Sequence, residues 1–194
     1  MNSKTSILLS IFKGINFSVD EISTVERKFE KIIIKKGDRL LNSGKTVGNQ
    51  YYIYSGCLRA YFIGKDGKEH TIQFAIEDWW ISDYTAFFTT SKAIMTIDCI
   101  QDAVVYKISK ESMESLYTVI PKLETFFRRK MEGAFSSFQK RILGALSQTA
   151  KERYITFVKT YPNIEISVKN YHIASYLGIT TESLSRIRKE IAEK

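Results

Sequence analysis

The sequence predicts an α+β chain: a β-sandwich or barrel of short strands, then one long helix, then a pair of short helices. Three observations predict it. Turn signals punctuate residues 31–107 between β-branched and aromatic runs. Apolar residues recur at steps of three and four over 121–146. Residues 166–194 carry a cap, an apolar stripe, a glycine and a second cap, the spacing of two helices joined by a tight turn. At 194 residues and 44% hydrophobic, the chain can hold one or two domains around a proper core.

Residues 1–30 read as helical. Leu8, Leu9, Phe12 and Ile15 share a face, and Ser18 or Asp20 can start a second helix through Ile22, Val25 and Phe29. This segment is expected to lie as a lid on the strands. Ile32, Ile33 and Ile34 open those strands, and Lys36-Gly37-Asp38 turns the chain. Leu40-Leu41 precedes a second turn at Asn42-Ser43-Gly44. A strand over 51–54 closes at Ser55-Gly56, and another runs over 57–63 into a hairpin at 64–67. The return strand covers 70–76. A last pair, 94–100 and 103–108, is separated by Gln101-Asp102. One aromatic stretch, EDWWISDY at 77–84, interrupts the strands and should contain a short helix. Such a break can line a cavity, or Trp79 and Trp80 can plug the barrel; both readings stand.

From Ser109 the period becomes helical. Ser109 can cap a helix through Met113, Leu116 and Val119, and Pro121 suits the start of the next. A continuous helix over 121–146 is about 39 Å long. Phe126, Phe135, Leu143 and Leu146 make its apolar face wider than one partner covers. It is therefore expected to pack on the barrel and on a second copy, with Leu123, Phe127, Met131, Ala134, Phe138 and Ile142 in the dimer seam. Residues 149–160 form another amphipathic helix, broken at Tyr161-Pro162-Asn163.

In the C-terminal unit Ser167 is expected to cap the first helix, Ile173, Ala174 and Leu177 form its apolar stripe, and Gly178 makes the turn. Thr180 caps the second helix. Leu184, Ile187 and Ile191 face inward, while Glu182, Arg186, Lys189 and Glu193 face out. A polar, partly cationic stripe beyond a supporting helix suits the DNA major groove. The candidate contacts are Thr180, Thr181, Glu182, Ser183, Ser185, Arg186, Lys189 and Lys169. Charge agrees. Residues 1–120 hold 15 Lys+Arg against 14 Asp+Glu, whereas residues 121–194 hold 14 against 7. Nearly all of the net +8 lies beside the reading helix, which favours double-stranded DNA as partner.

Other chemistries are poorly served. Cys57 and Cys99 are too few and too far apart for a metal motif, and read as buried free thiols. His70 and His172 are the only histidines, and there is no nucleophile elbow or P-loop, so neither catalysis nor a metal is expected. No run approaches the roughly 18 apolar residues of a membrane span, and no signal-peptide pattern occurs, so the protein is expected to be cytoplasmic.

Taken in this order, the elements resemble the Crp/Fnr transcription regulators over nearly the full length. The most specific match is TESLSR at 181–186, which is similar to that family's recognition-helix motif. The resemblance implies a cyclic-nucleotide-binding-like β-roll (a double-stranded β-helix) over 1–120 and a dimerisation helix over 121–146. It implies a winged-helix-like helix-turn-helix over 147–194. It further implies a homodimer that binds promoter DNA and contacts RNA polymerase, with Thr181, Glu182 and Arg186 as base readers. Two departures stand out. Nucleotide-binding members carry a Gly-Glu pair and a following Arg in the roll; here the stretch reads Ile81-Ser82-Asp83-Tyr84, and Lys92 is the only cation in 84–98. Cyclic AMP is therefore not expected to bind, and no cofactor is expected. Trp80, Ser82, Asp83 and Lys92 remain a candidate pocket for another ligand. The sequence also stops after the reading helix, so the wing is expected to be truncated. Two cysteines cannot supply the four thiolates of the family's iron–sulfur members, and a lone His70 on a strand is not expected to ligate haem. Two alternatives stay open: a module of the same fold that does not bind DNA specifically, and a true cyclic-nucleotide-dependent regulator.

Overall fold

The computed structural model describes residues 7–162 and 164–193. Two short helices come first, α1 (Ile7–Ile11) and α2 (Val19–Glu26). Ser18 starts α2 through a capping box, accepting from the Glu21 amide while the Glu21 carboxylate accepts from the Ser18 amide. The helix ends before Phe29, which turns inward onto Phe12 and Trp80. Residues 1–6 of the expected N-terminal helix lie outside the described residues.

The strands are β1 (Glu30–Ile34), β2 (Arg39–Leu41), β3 (Asn49–Ile63), β4 (Glu69–Ala75), β5 (Trp80–Ile81) and β6 (Thr96–Ser109). All pairings are antiparallel, in the order β1-β6-β3-β4, with β2 on β6 and β5 on β3. The expected breaks at Ser55-Gly56 and Gln101-Asp102 are not turns. Each is a bulge inside one long strand, of 15 residues in β3 and 14 in β6, and the two bulges face each other. Gly56 has φ of +92°, and a Cβ there would stand 2.3 Å from the Asp102 carbonyl oxygen. These bulges bend both long strands and roll the sheet around an interior of Ile34, Ile53, Leu58, Ile81, Phe87, Ile97 and Val105. The aromatic interruption does hold a short helix, α3 (Tyr84–Thr89).

Ser109 caps α4 (Lys110–Val119), accepting from the Ser112 amide. The long helix α5 (Lys122–Ser147) comes next, with Pro121 one residue outside it. Four helices complete the chain: α6 (Ala150–Thr160), α7 (Ile164–Ser167), α8 (Asn170–Leu177) and α9 (Thr181–Ala192). A second core joins Cys57, Phe74 and Ile100 of the roll to Phe157, Tyr161, Ile173, Leu177, Leu184 and Ile187 of these helices. A third packs α1, α2, α4 and the start of α5 on Tyr52 and Trp80. Among the described residues no helix is long and apolar enough to cross a membrane.

Candidate nucleic-acid interface

Local sequence chemistry builds the C-terminal unit. Thr149 and Glu152 form a capping box that starts α6. The first of the paired helices begins later than expected. Ser167 ends α7 instead of capping α8, and Lys169 sits at the α8 N-cap without a side-chain bond. At the turn Gly178 takes the left-handed conformation, with φ of +67°. Thr180 caps α9 by accepting from the Ser183 amide at 3.2 Å. Ile173, Ala174, Leu177, Leu184 and Ile187 are buried together, which fixes the two helices against each other.

This leaves one polar face of α9 outward. Glu182, Ser185, Arg186 and Lys189 are exposed, while Thr181 and Ser183 are half-buried at its edge. The neighbours of Arg186 are committed elsewhere. Glu182 accepts from the Thr181 hydroxyl and Glu190 pairs with Lys151 at 3.3 Å. Among the described residues no carboxylate holds the Arg186 guanidinium. Lys189 makes a loose pair with Glu193 at 3.8 Å. Hydrogen bonds from its own amide and from Thr180 and Thr181 keep the Glu182 carboxyl below the usual range, so it stays an acceptor. Lys169 does not join this face; it lines a cleft toward the roll. Sequence reasoning missed Arg188. It donates to Asn170 Oδ1 at 2.6 Å and to the Tyr154 hydroxyl at 3.1 Å, tying α9 to α8 and α6. Its helical position, one residue past Ile187, was the only hint.

The apolar stripe of α5 divides in two. Leu123 and Phe127 are buried within their own subunit against Phe12, Trp80 and Tyr117, so they are not part of an open seam. They fill the gap under α1 that sequence spacing could not reveal. Met131 and Ala134 are half-buried. Beyond them Phe138 is 39% exposed, Ile142 60%, Leu143 63% and Leu146 80%, with Phe135 at 66%. That stretch has no partner within the described chain.

The four residues expected around a roll pocket do not converge. Asp83 is fully buried and all its acceptor capacity is in use. One oxygen takes the Thr85 hydroxyl and Ala86 amide, the other the Ile94 and Met95 amides at 2.8 and 3.0 Å. Burial pushes its carboxyl up, but these donors outweigh it and hold it below the ordinary range. Ser82 donates to the Asn49 carbonyl at 2.9 Å. Trp80 lies in the third core, edge-on to Tyr52 and Phe127, and Lys92 is exposed. Burial pushes the Cys57 thiol up to about 12 and the Cys99 thiol to about 11, so both stay protonated and unreactive.

An unforeseen cluster joins the roll to α8. Arg59 is 2% exposed and forks onto Asp98 at 3.1 and 2.7 Å. Its Nη1 donates to Glu69 at 2.7 Å and to Nδ1 of His172. Burial first, and the Arg59 charge second, push His172 down to about 4, so it is a neutral acceptor. Ser175 adds a link between its hydroxyl and the Thr71 amide at 2.9 Å and Glu69 carbonyl at 2.7 Å. Arg141 of α5 donates to the carbonyls of Thr71, Ile72 and Tyr176 and lies over the Tyr176 ring. An isolated Arg on a strand and a lone His on a helix carry no sequence signal that they will meet.

Comparisons agree with this geometry. Residues 31–118 match the family described as "Cyclic nucleotide-binding domain". The chain is 26% identical over 79% of its length to "Anaerobic regulatory protein" of Haemophilus influenzae, and spans 63% of that relative. It is likewise 26% identical to "Electron transport regulator A" of Shewanella oneidensis, spanning 65% of it. Among solved structures, FixK2 from Bradyrhizobium japonicum superposes with a TM-score of 0.75 at 17% identity, over 85% of each chain. A Crp/Fnr regulator from Eubacterium rectale superposes at 0.68 and 17%, over 91% of this chain and 84% of that one. With the roll, the long helix and the capped helix pair arranged in one chain, the protein shares the fold of the Crp/Fnr regulators on which it superposes.

Proposed function

We propose that the protein is a DNA-binding transcription regulator acting as a homodimer. The observation that carries this reading is the outward face of α9, where Arg186, unpaired among the described residues, stands between Glu182 and Lys189 on a helix whose opposite side is locked into a core. A rigid helix with one free guanidinium is suited to a guanine edge in the major groove. The net charge of +7 over residues 121–194 supports a polyanionic partner. So do the relatives' names, among them "Transcriptional activator protein FnrA" of Stutzerimonas stutzeri. The exposed half of α5 supports pairing with a second copy, which would set two α9 helices on one duplex with half-sites about 34 Å apart. Contact with RNA polymerase belongs to the same reading.

We further infer that cyclic AMP is not the effector. The acid at the expected nucleotide position is consumed by protein donors, and no Arg follows it in 84–98. Selection of bound sequences from random duplex DNA tests the central claim. A near-palindrome should emerge. Recovery of unenriched sequence, or retention indifferent to salt, contradicts the reading.

A further inference from the structure

The joint between the roll and α8 contains a cleft of about 260 Å³, separate from the outward face of α9. One wall belongs to the roll, with Lys36, Arg39 and Tyr61; the other belongs to the C-terminal helices, with Lys169 and Tyr171. Its floor is the Arg59 cluster, in which Glu69 and Asp98 are both satisfied by Arg59. Lys36, Arg39 and Lys169 form no side-chain salt bridge among the described residues, although the Lys36 amide donates to Asp102 and its charge acts on that carboxylate. With Arg59 counted, the four cations Lys36, Arg39, Arg59 and Lys169 face the two carboxylates Glu69 and Asp98, which leaves the cleft net positive, and the exposed Tyr171 ring supplies a flat, half-apolar wall.

We propose that this cleft is an effector site for a small dianionic metabolite, a phosphate ester or a dicarboxylate, held between Arg39 and Lys36 on one side and Lys169 on the other. Charge-assisted contacts from both walls suit an anion and are stronger than neutral ones. The size suits a small metabolite. Such a ligand would bridge the roll and α8, adding to the Arg59–His172 and Ser175 links already there. It would bias how firmly α8, and with it α9, is held on the roll. That last consequence rests on the DNA-binding reading; the binding itself does not.

Calorimetric titration of the full chain, without DNA and at low ionic strength, tests the site with two probes, inorganic phosphate and succinate. Saturable binding in the millimolar range or tighter is expected for at least one. Phosphate alone identifies the phosphate-ester class, and succinate alone the dicarboxylate class. Arg39→Gln and Lys169→Gln should each weaken that binding by about tenfold or more. Lys92→Gln, an exposed cation outside the cleft, should leave it unchanged. Hydrogen exchange of the α8 amides should slow when the ligand is bound. The proposal is overturned if neither probe gives saturable heat at millimolar concentration, or if binding ignores both cleft substitutions. Failure to bind DNA with intact dianion binding would instead count against the regulator reading alone.

Discussion

At the scale of single residues, two arginines two positions apart on α9 do opposite work. Arg186 points outward and pairs with no acid among the described residues, whereas Arg188 is half-buried and bonded to Asn170 and Tyr154. Arg186→Ala should therefore leave thermal stability within about 0.5 kcal/mol while abolishing preference at one symmetric pair of base positions. Non-specific retention should persist. Arg188→Ala should lower stability by about 1 kcal/mol, because it removes two hydrogen bonds that tie α9 to α8 and α6. Thermal melts of both variants beside binding to the selected and scrambled sites separate the roles. Equal loss of stability in the two would refute the division. Spacing alone put Glu182, Arg186 and Lys189 on one face, since helical periodicity is written in the chain. It could not put Lys169 correctly, because the start of α8 depends on where α7 ends and on the roll beneath it.

At the scale of elements, α5 is one helix with two employments. Its first turns are clamped inside the subunit by Leu123 and Phe127, and its later turns expose Phe138, Ile142 and Leu146. Ile142→Asp should convert the protein to a monomer with its fold intact, as a charge enters an apolar seam without disturbing the internal core. Phe127→Ala should instead cost about 3–5 kcal/mol of folding stability. Sedimentation paired with denaturant melts distinguishes them, and a wild type already monomeric at micromolar concentration defeats the dimer reading. The periodicity that revealed α5 could not reveal this division, because both halves share one apolar stripe and only packing tells them apart. The strands show the same limit. Turn chemistry at Ser55-Gly56 was legible as a break, but whether a glycine with positive φ makes a hairpin or a bulge depends on the strand across from it. Gly56→Ala tests the bulge: its Cβ would collide with the Asp102 carbonyl, and a loss of about 1–3 kcal/mol is expected from strain at that backbone. A melt unchanged from wild type would show that the bulge can yield.

At the scale of the whole molecule, the roll and the reading helices are joined by groups that titrate, so docking should depend on pH. His172 faces Arg59 from β3, Glu69 from β4, Asp98 from β6 and Lys169 beside its own helix start. Docked, it is held neutral down to about 4; free in water it would titrate near the ordinary 6.5. Between those values the undocked chain binds a proton that the docked chain refuses, so acidification favours undocking. The link is intact above about 6.5 and is lost progressively as the pH falls towards about 4, by on the order of 2–3 kcal/mol. Protonation also removes the acceptor on Nδ1 and sets a second cation against the Arg59 guanidinium. Glu69 and Asp98 offset this repulsion, so the main cost of protonation is that of burying a charged imidazole. His172→Gln keeps an acceptor that cannot titrate. At neutral pH the variant should match the wild type, and between neutral pH and about pH 5 it should lose less stability. Calorimetric melts across that range, with α8 amide exchange as the local readout, measure the difference. Parallel acid dependence in both proteins would show that the joint does not turn on this imidazole.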